Sequence, residues 1–236
     1  MTPDSLTEVM EATWPPARSW VSACWTLRDG QGGGKRVSAA TALAGWQDEA
    51  IPQAEAEMAA VGQTPLFLIR SGDDLLDQAL QSRGYRVVDP VVAYAAPAHA
   101  LAHPPAPPMS AFPHWPPLHI CTDIWAEGGT GDARLAVMQR AIGPKVAILS
   151  CVNDRPTGVA FVAMHRQTAM LHALEVRPAT RRQGSAHNIL RAAAGWALEN
   201  GADSLALVVT VANTAARNLY ASMGMQVVGH YHYRQR

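Results

Sequence analysis

Apolar and polar positions along the chain fall into blocks whose period changes from element to element. Asp132 to Ile142 carries Leu135, Met138 and Ile142 at helical spacing and stops at Gly143-Pro144, two helix breakers. Lys145–Val152 is a largely apolar run of strand length, and Asn153-Asp154-Arg155-Pro156 reads as a turn. Thr157–His165 and Thr168–Val176 follow as strands around Arg166-Gln167. Gly184 to Asn200 is helical, and Gly201 closes it as the residue beyond the C-cap. Ser204–Val211 is a strand, Asn213–Met223 a helix closed by Gly224, and Gln226–Arg234 a final strand. This order predicts a mixed α/β sandwich with the sheet as its middle layer.

Upstream of these elements lies a seam. Residues 97–117 hold eight of the chain's 17 prolines. Proline withholds a backbone donor and fixes φ, so the stretch is expected to be neither helix nor central strand but an extended, semi-rigid connector. The predicted organisation is therefore an N-terminal domain at 1–96, a Pro-rich linker at 97–117 and a C-terminal domain at 118–236. The first domain reads as a worn copy of the second. Val37 stands eight residues before Gly45 as Val176 stands before Gly184, and Gly45 and Gly62 are spaced like Gly184 and Gly201. Leu80-Gln81-Ser82-Arg83-Gly84 likewise parallels Tyr220-Ala221-Ser222-Met223-Gly224.

Composition narrows the functional classes. The 236 residues carry 19 Lys+Arg against 19 Asp+Glu, a formal net charge of zero. That balance lacks the clustered surplus of cations that nucleic acid or anionic lipid requires. No apolar run approaches the ~18 residues of a membrane span, and the start, Met1 to Glu8, has no signal-peptide pattern. Cys24, Cys121 and Cys151 show no metal spacing and, being odd in number, make a poor disulfide framework. A soluble cytoplasmic protein with no metal is expected.

The chemistry concentrates in Val176-Arg177-Pro178-Ala179-Thr180-Arg181-Arg182-Gln183-Gly184-Ser185-Ala186-His187. A strand ends, a polar loop follows and Gly184 opens a helix, whose first amides and partial positive charge suit a pyrophosphate. Arg181 and Arg182 add cationic donors. The pattern is neither a Walker A loop nor a Rossmann fingerprint. Arg181-x-x-Gly184-x-Ala186 instead resembles motif A of the GNAT superfamily of N-acetyltransferases. The resemblance continues through Trp196-Ala197, Gly201-Ala202, Asn213, Ala216, Leu219-Tyr220, Gly224 and Tyr231-His232-Tyr233-Arg234. A weaker likeness in Trp25-Thr26-Leu27-Arg28, Gly30 and Arg36-Val37-Ser38 is similar to the leading half of a tandem-GNAT subgroup.

The resemblance implies a mixed-sheet GNAT acyl-CoA N-acyltransferase fold, complete in the C-terminal domain and partial in the N-terminal half. It implies acetyl-CoA as co-substrate. Leu174, Glu175 and Val176 would pair with the pantetheine arm, and Arg181, Arg182, Gln183, Gly184, Ser185, Ala186 and His187 would hold the pyrophosphate. Asn213 and Tyr220, seven residues apart on one helix face, would contact CoA, with Tyr220 donating a proton to the departing thiolate. Asn213 also suits an N-cap. In the first half, Ala42, Leu43, Gln47 and Leu80 stand at the places of Arg181, Arg182, Ala186 and Tyr220, so that half is expected to be silent.

An attacking amine must first lose its ammonium proton. His172 and Glu175 are the two named candidates for the base, and a water relay or a residue from the first half is the remaining possibility. Strict alternation sets His172, Leu174 and Val176 on one face of their strand and Leu171, Ala173 and Glu175 on the other. Trp125 and Glu127 are candidate acceptor contacts. The expected activity is acetyl transfer to a primary amine, favouring a small molecule or amino acid. The alternatives are acetylation of a protein N-terminus or lysine, and a silent acyl-CoA-binding regulatory module. A monomer or homodimer with no nucleic-acid or membrane partner is anticipated.

Overall fold

In the computed structural model, which describes residues 3–236, the elements run in chain order as follows. The first half holds α1 (Pro3–Thr13), β1 (Arg18–Ser22), β2 (Trp25–Asp29), β3 (Thr41–Ala42), α2 (Ile51–Ala60), β4 (Leu66–Arg70), α3 (Asp74–Ser82) and β5 (Arg86–Pro97). Between the halves lie α4 (Ala98–Leu101) and β6 (Ala111–His114). The second half holds α5 (His119–Glu127), α6 (Asp132–Arg140), β7 (Lys145–Val152), β8 (Arg155–His165), β9 (Thr168–Val176), α7 (Ser185–Glu199), β10 (Ser204–Thr210), α8 (Thr214–Ser222) and β11 (Gln226–Gln235). Met1 and Thr2, where the stretch without a signal-peptide pattern begins, lie outside the described residues.

The main sheet has eight strands in the order β4-β11-β5-β10-β9-β8-β7-β6, and β1-β2-β3 form a second sheet. A parallel bridge from Ala40 to Phe67 ties the small sheet to β4. The last strand of each half is exchanged: β5 pairs with β10, and β11 pairs with β4, both antiparallel. The two exchanged pairings map onto one another under a shift of 140 residues. Leu66 opposite Gln235 becomes Ala206 opposite Ala95, and Arg70 opposite Tyr231 becomes Thr210 opposite Val91. Val91 and Tyr231 face each other at the centre of the β5–β11 pair, on the pseudo-twofold axis. The C-terminal half therefore carries the fuller set of elements, and the N-terminal half repeats it in reduced form.

Packing explains why neither half stands apart. Leu6, Val9 and Met10 of α1 bury against Leu66, Leu68, Val91, Met170 and Tyr231, which belong to both halves. Each such side chain contributes about 1.5–3 kcal/mol when buried. The proline-rich stretch differs from the expected connector. Ala98 and Leu101 of α4 are buried in the core that α7 covers, and β6 pairs with β7 as the sheet's edge, where proline is tolerated.

The repeat is also offset differently from the expected one. Val37 lies in a short 3-10 turn, not at a strand end, and Gly45 opens no helix. Ala42 ends β3 as Val176 ends β9, and Ile51 opens α2 as Ser185 opens α7. The loops are thus the same length, and α2 is ten residues against fifteen for α7. The missing helical residues shifted the glycine landmarks while leaving Gly62 and Gly201 matched at the helix ends. Corrected this way, Asp48, Glu49 and Ala50 stand where Arg182, Gln183 and Gly184 stand.

Candidate active site

β9 and β10 run parallel and pair from Thr168 with Ser204 to Leu171 with Leu207, then part. The opening between their ends is where both cavities of interest meet the sheet. On the α7/α8 side, a cavity of about 690 Å³ is lined by Leu174, Glu175, Val176, the Arg181–His187 turn and the α8 residues Asn213 and Tyr220. It gathers every sequence-predicted cofactor residue except Gln183, which does not line it.

The cradle follows from local geometry. Gly184 is left-handed at φ 90, a conformation that costs a residue with a Cβ roughly 1–2 kcal/mol, and it caps α7. The amide of Asn188 bonds back to Gly184, so the amides of Ser185, Ala186 and His187 are the orphan donors of the first turn. Ser185 Oγ donates to Thr157 Oγ1 at 2.8 Å, and Thr157 Oγ1 donates to the Ser150 carbonyl at 3.1 Å. That buried chain pins the helix start to β7 and β8. Thr157 was not legible as a site residue, because nothing in spacing links it to the loop. Arg181 donates through Nε to the Val176 carbonyl at 3.2 Å and lies 3.7 Å from the Glu175 carboxylate.

Tyr220 is 5% exposed, and burial, followed by neighbouring Tyr94, pushes its phenol up to about 12. It is therefore protonated at neutral pH. Asn213 caps α8, its side chain accepting from the Ala216 amide at 3.1 Å. Asp73, its counterpart in the first half, makes no such cap, and its carboxylate accepts from the Arg70 amide and Nε instead.

Alternation fails along β9. Ala173 has φ 48, and the register to β8 slips between Val159 opposite Glu175 and Phe161 opposite His172. This bulge, with its local ladder disrupted, puts Leu171 and Leu174 against the α7 core. His172 instead packs with Trp14 and Phe161, while Glu175 comes up against Gly128 of the α5 end. A Cβ on Gly128 would lie 2.5 Å from the Glu175 carboxyl. His172 and Glu175 therefore share a face, contrary to the alternation.

Both nitrogens of His172 are engaged. Arg36 donates to Nδ1 at 2.9 Å, and Nε2 donates to Thr13 Oγ1 at 2.9 Å, whose own proton goes to Val9. Burial, reinforced by the Arg36 charge, holds the ring well below the usual histidine range. Its lone pair is spent on a cation, so the ring is poorly suited to take a proton from an amine. Glu175 is half-buried and its carboxyl is raised by burial, a rise that Arg181 opposes. Trp125 is fully buried and donates to the Ala173 carbonyl at 2.8 Å, which supports the bulge. Glu127 forms a paired ion contact with Arg177, which lowers its carboxyl. Neither Trp125 nor Glu127 lines the cavities at the splay.

Across the splay, a second cavity of about 250 Å³ is lined by His172, Ala173 and Val208–Thr210 of the C-terminal half and by Trp14, Gly33–Arg36, Asp89 and Val91 of the N-terminal half. Among the described residues, no helix is long and apolar enough to cross a membrane.

Residues 112–225 match the family model described as the acetyltransferase (GNAT) family. This C-terminal part is therefore a GNAT acetyltransferase domain, of a family that moves acetyl groups from acyl-CoA donors. A solved GCN5-related N-acetyltransferase from Kribbella flavida is similar over 99% of this chain and 95% of its own, with TM-score 0.72 and 16% identity. A tandem GNAT protein from the clavulanic acid biosynthesis pathway covers 96% of this chain and 86% of its own, with TM-score 0.63 and 12% identity. A functionally unknown conserved protein from Staphylococcus epidermidis ATCC 12228 covers 92% of both chains at TM-score 0.69 and 12% identity. No curated protein matches by sequence.

Proposed function

We propose that this chain transfers an acetyl group from acetyl-CoA to the primary amine of a small molecule, by direct attack within a ternary complex. Residues 118–236 carry the chemistry, residues 1–96 are a degenerate partner, and residues 97–117 join them. The observation that carries this reading is the single cavity that unites the end of β9, the α7 start and Tyr220. The orphan amides at Ser185–His187, the left-handed Gly184 and the Arg181 and Arg182 guanidiniums fit a pyrophosphate. The strand edge at Leu174–Val176, freed where β9 and β10 part, suits the amide-bearing arm of the donor.

Tyr220 gives its proton to the departing thiolate, and its elevated phenol keeps that proton available across neutral pH. Glu175 receives the proton of the incoming ammonium, its basicity raised by burial. A small acceptor is favoured over a protein chain because the N-terminal half lines the far side of the splay with Trp14, Arg36 and Asp89. The three cysteines are free, which fits a reducing cytoplasmic setting. The test is a screen of amines with acetyl-CoA, read by free-thiol release. Turnover of at least one small amine is expected. CoA binding without release above hydrolysis for any amine would instead favour the silent regulatory module.

A further inference from the structure

The cavity across the splay has an unbalanced charge. Its lining includes Lys35, Arg36, Arg134 and a single carboxylate, Asp89. Lys35 pairs with Asp89 at 2.8 Å. Neither Arg36 nor Arg134 has a carboxylate partner among the described residues. Arg36 spends Nη1 on His172, its guanidinium lies 5.7 Å from the Trp14 ring, and its Nε is buried without a partner. Nη2 makes no hydrogen bond among the described residues, so the guanidinium keeps a charge-assisted donor to offer a carboxylate.

Two uncompensated guanidiniums repel an ammonium, so a plain alkylamine is a poor guest here. An amine that carries its own anion cancels this repulsion. The same cations lower the ammonium's hold on its proton, which favours the nucleophilic free amine. Arg36 also lines an adjoining cavity of about 500 Å³, shared across Trp14, Val91 and Tyr231, with Met10 and Leu68 on its walls. It stands at the junction, and the walls beyond it combine these apolar side chains with the charged Glu11, Arg28, Asp74 and Asp77.

We infer that the acceptor is an amino-acid-like amine whose carboxylate is held by Arg36 through Nη2, with Arg134 adding charge at the mouth. This rests on the acetyltransferase reading and specifies its substrate class.

The experiment compares amino acids with their carboxamides as acceptors, and the corresponding N-acetyl products as calorimetric ligands of the CoA-loaded protein. The carboxamide amine is the less basic, so intrinsic reactivity favours the amide. The expected result is a preference for the carboxylate of roughly 10–100-fold in kcat/KM, matching one charge-assisted hydrogen bond. Arg36→Gln is expected to erase the preference by raising KM, with CoA affinity retained. Arg134→Gln, at an exposed position that folding tolerates, is expected to shrink it by about threefold. Equal use of acid and amide by the wild type, no binding of either product, or an undiminished preference in both variants would overturn the inference. Failure to bind CoA at all would instead break the acetyltransferase reading, and calorimetry separates the two.

Discussion

At the start of α7 the chain offers a left-handed glycine, three orphan amides and the guanidiniums of Arg181 and Arg182. At the start of α2, the same place in the fold, it offers Asp48, Glu49 and Ala50, with Pro52 in the first turn. Asp48 is held by Arg83 at 2.9 Å, and two carboxylates there repel a pyrophosphate. Tyr220 at one helix face becomes the fully buried Leu80 at the other. The strand frame, the exchanged pairings and the helix ends persist in both halves, because burial maintains them. The cradle is made of a few side chains and one backbone conformation, none of which the core needs. In the proposed function, shape and chemistry have separated within one chain.

Four experiments sharpen or break this contrast, in order of expected effect. Residues 118–236 alone lose β5 from between β10 and β11 and lose the α1 face, leaving unpaired strand edges. That fragment is expected to show no cooperative thermal transition; a folded, fully active fragment would make the first half dispensable. Tyr220→Phe is expected to lower turnover by ~10²–10⁴ at unchanged CoA affinity, followed by thiol release. Gly184→Ala is expected to weaken CoA about tenfold, the cost of a Cβ at a left-handed position. The mirror change Ala50→Gly is expected to add no second CoA site, since Asp48 and Glu49 remain.

The smallest effect concerns His172. The folded protein holds this ring neutral, while the unfolded chain protonates it below the ordinary value of 6.5. Its contribution to stability is thus full above 6.5 and drains away as pH falls toward the lower folded value. Chemical denaturation from pH 7.5 to 5 should show this decline, and His172→Gln should flatten it.

Much of the second half was legible from pattern alone. Lys145–Val152 and Thr168–Val176 are strands with the expected bounds, because apolar runs between turn residues leave little choice. The loop and helix start that frame the proposed cradle were legible because Gly184 follows a polar loop and opens a helix. Other features lay beyond any local pattern. The Ala173 bulge depends on Trp125 reaching its carbonyl from 48 positions away, so alternation misassigned the faces of His172 and Glu175. Trp125 itself reads as a ligand-binding aromatic in isolation and turns out to be a buried prop. The strand exchange joins strands far apart in the chain, which no local pattern shows, and the shortened α2 disguised the true register of the repeat. Arg36 stood out only within a weak likeness in the first half; the fold alone brings it to His172 and the splay.

Isothermal calorimetry with coenzyme A measures the contrast between the halves most directly. One equivalent per chain is expected, with that binding weakened when Gly184 is changed and indifferent to substitution at Ala50. Two equivalents, or no heat, would contradict the account.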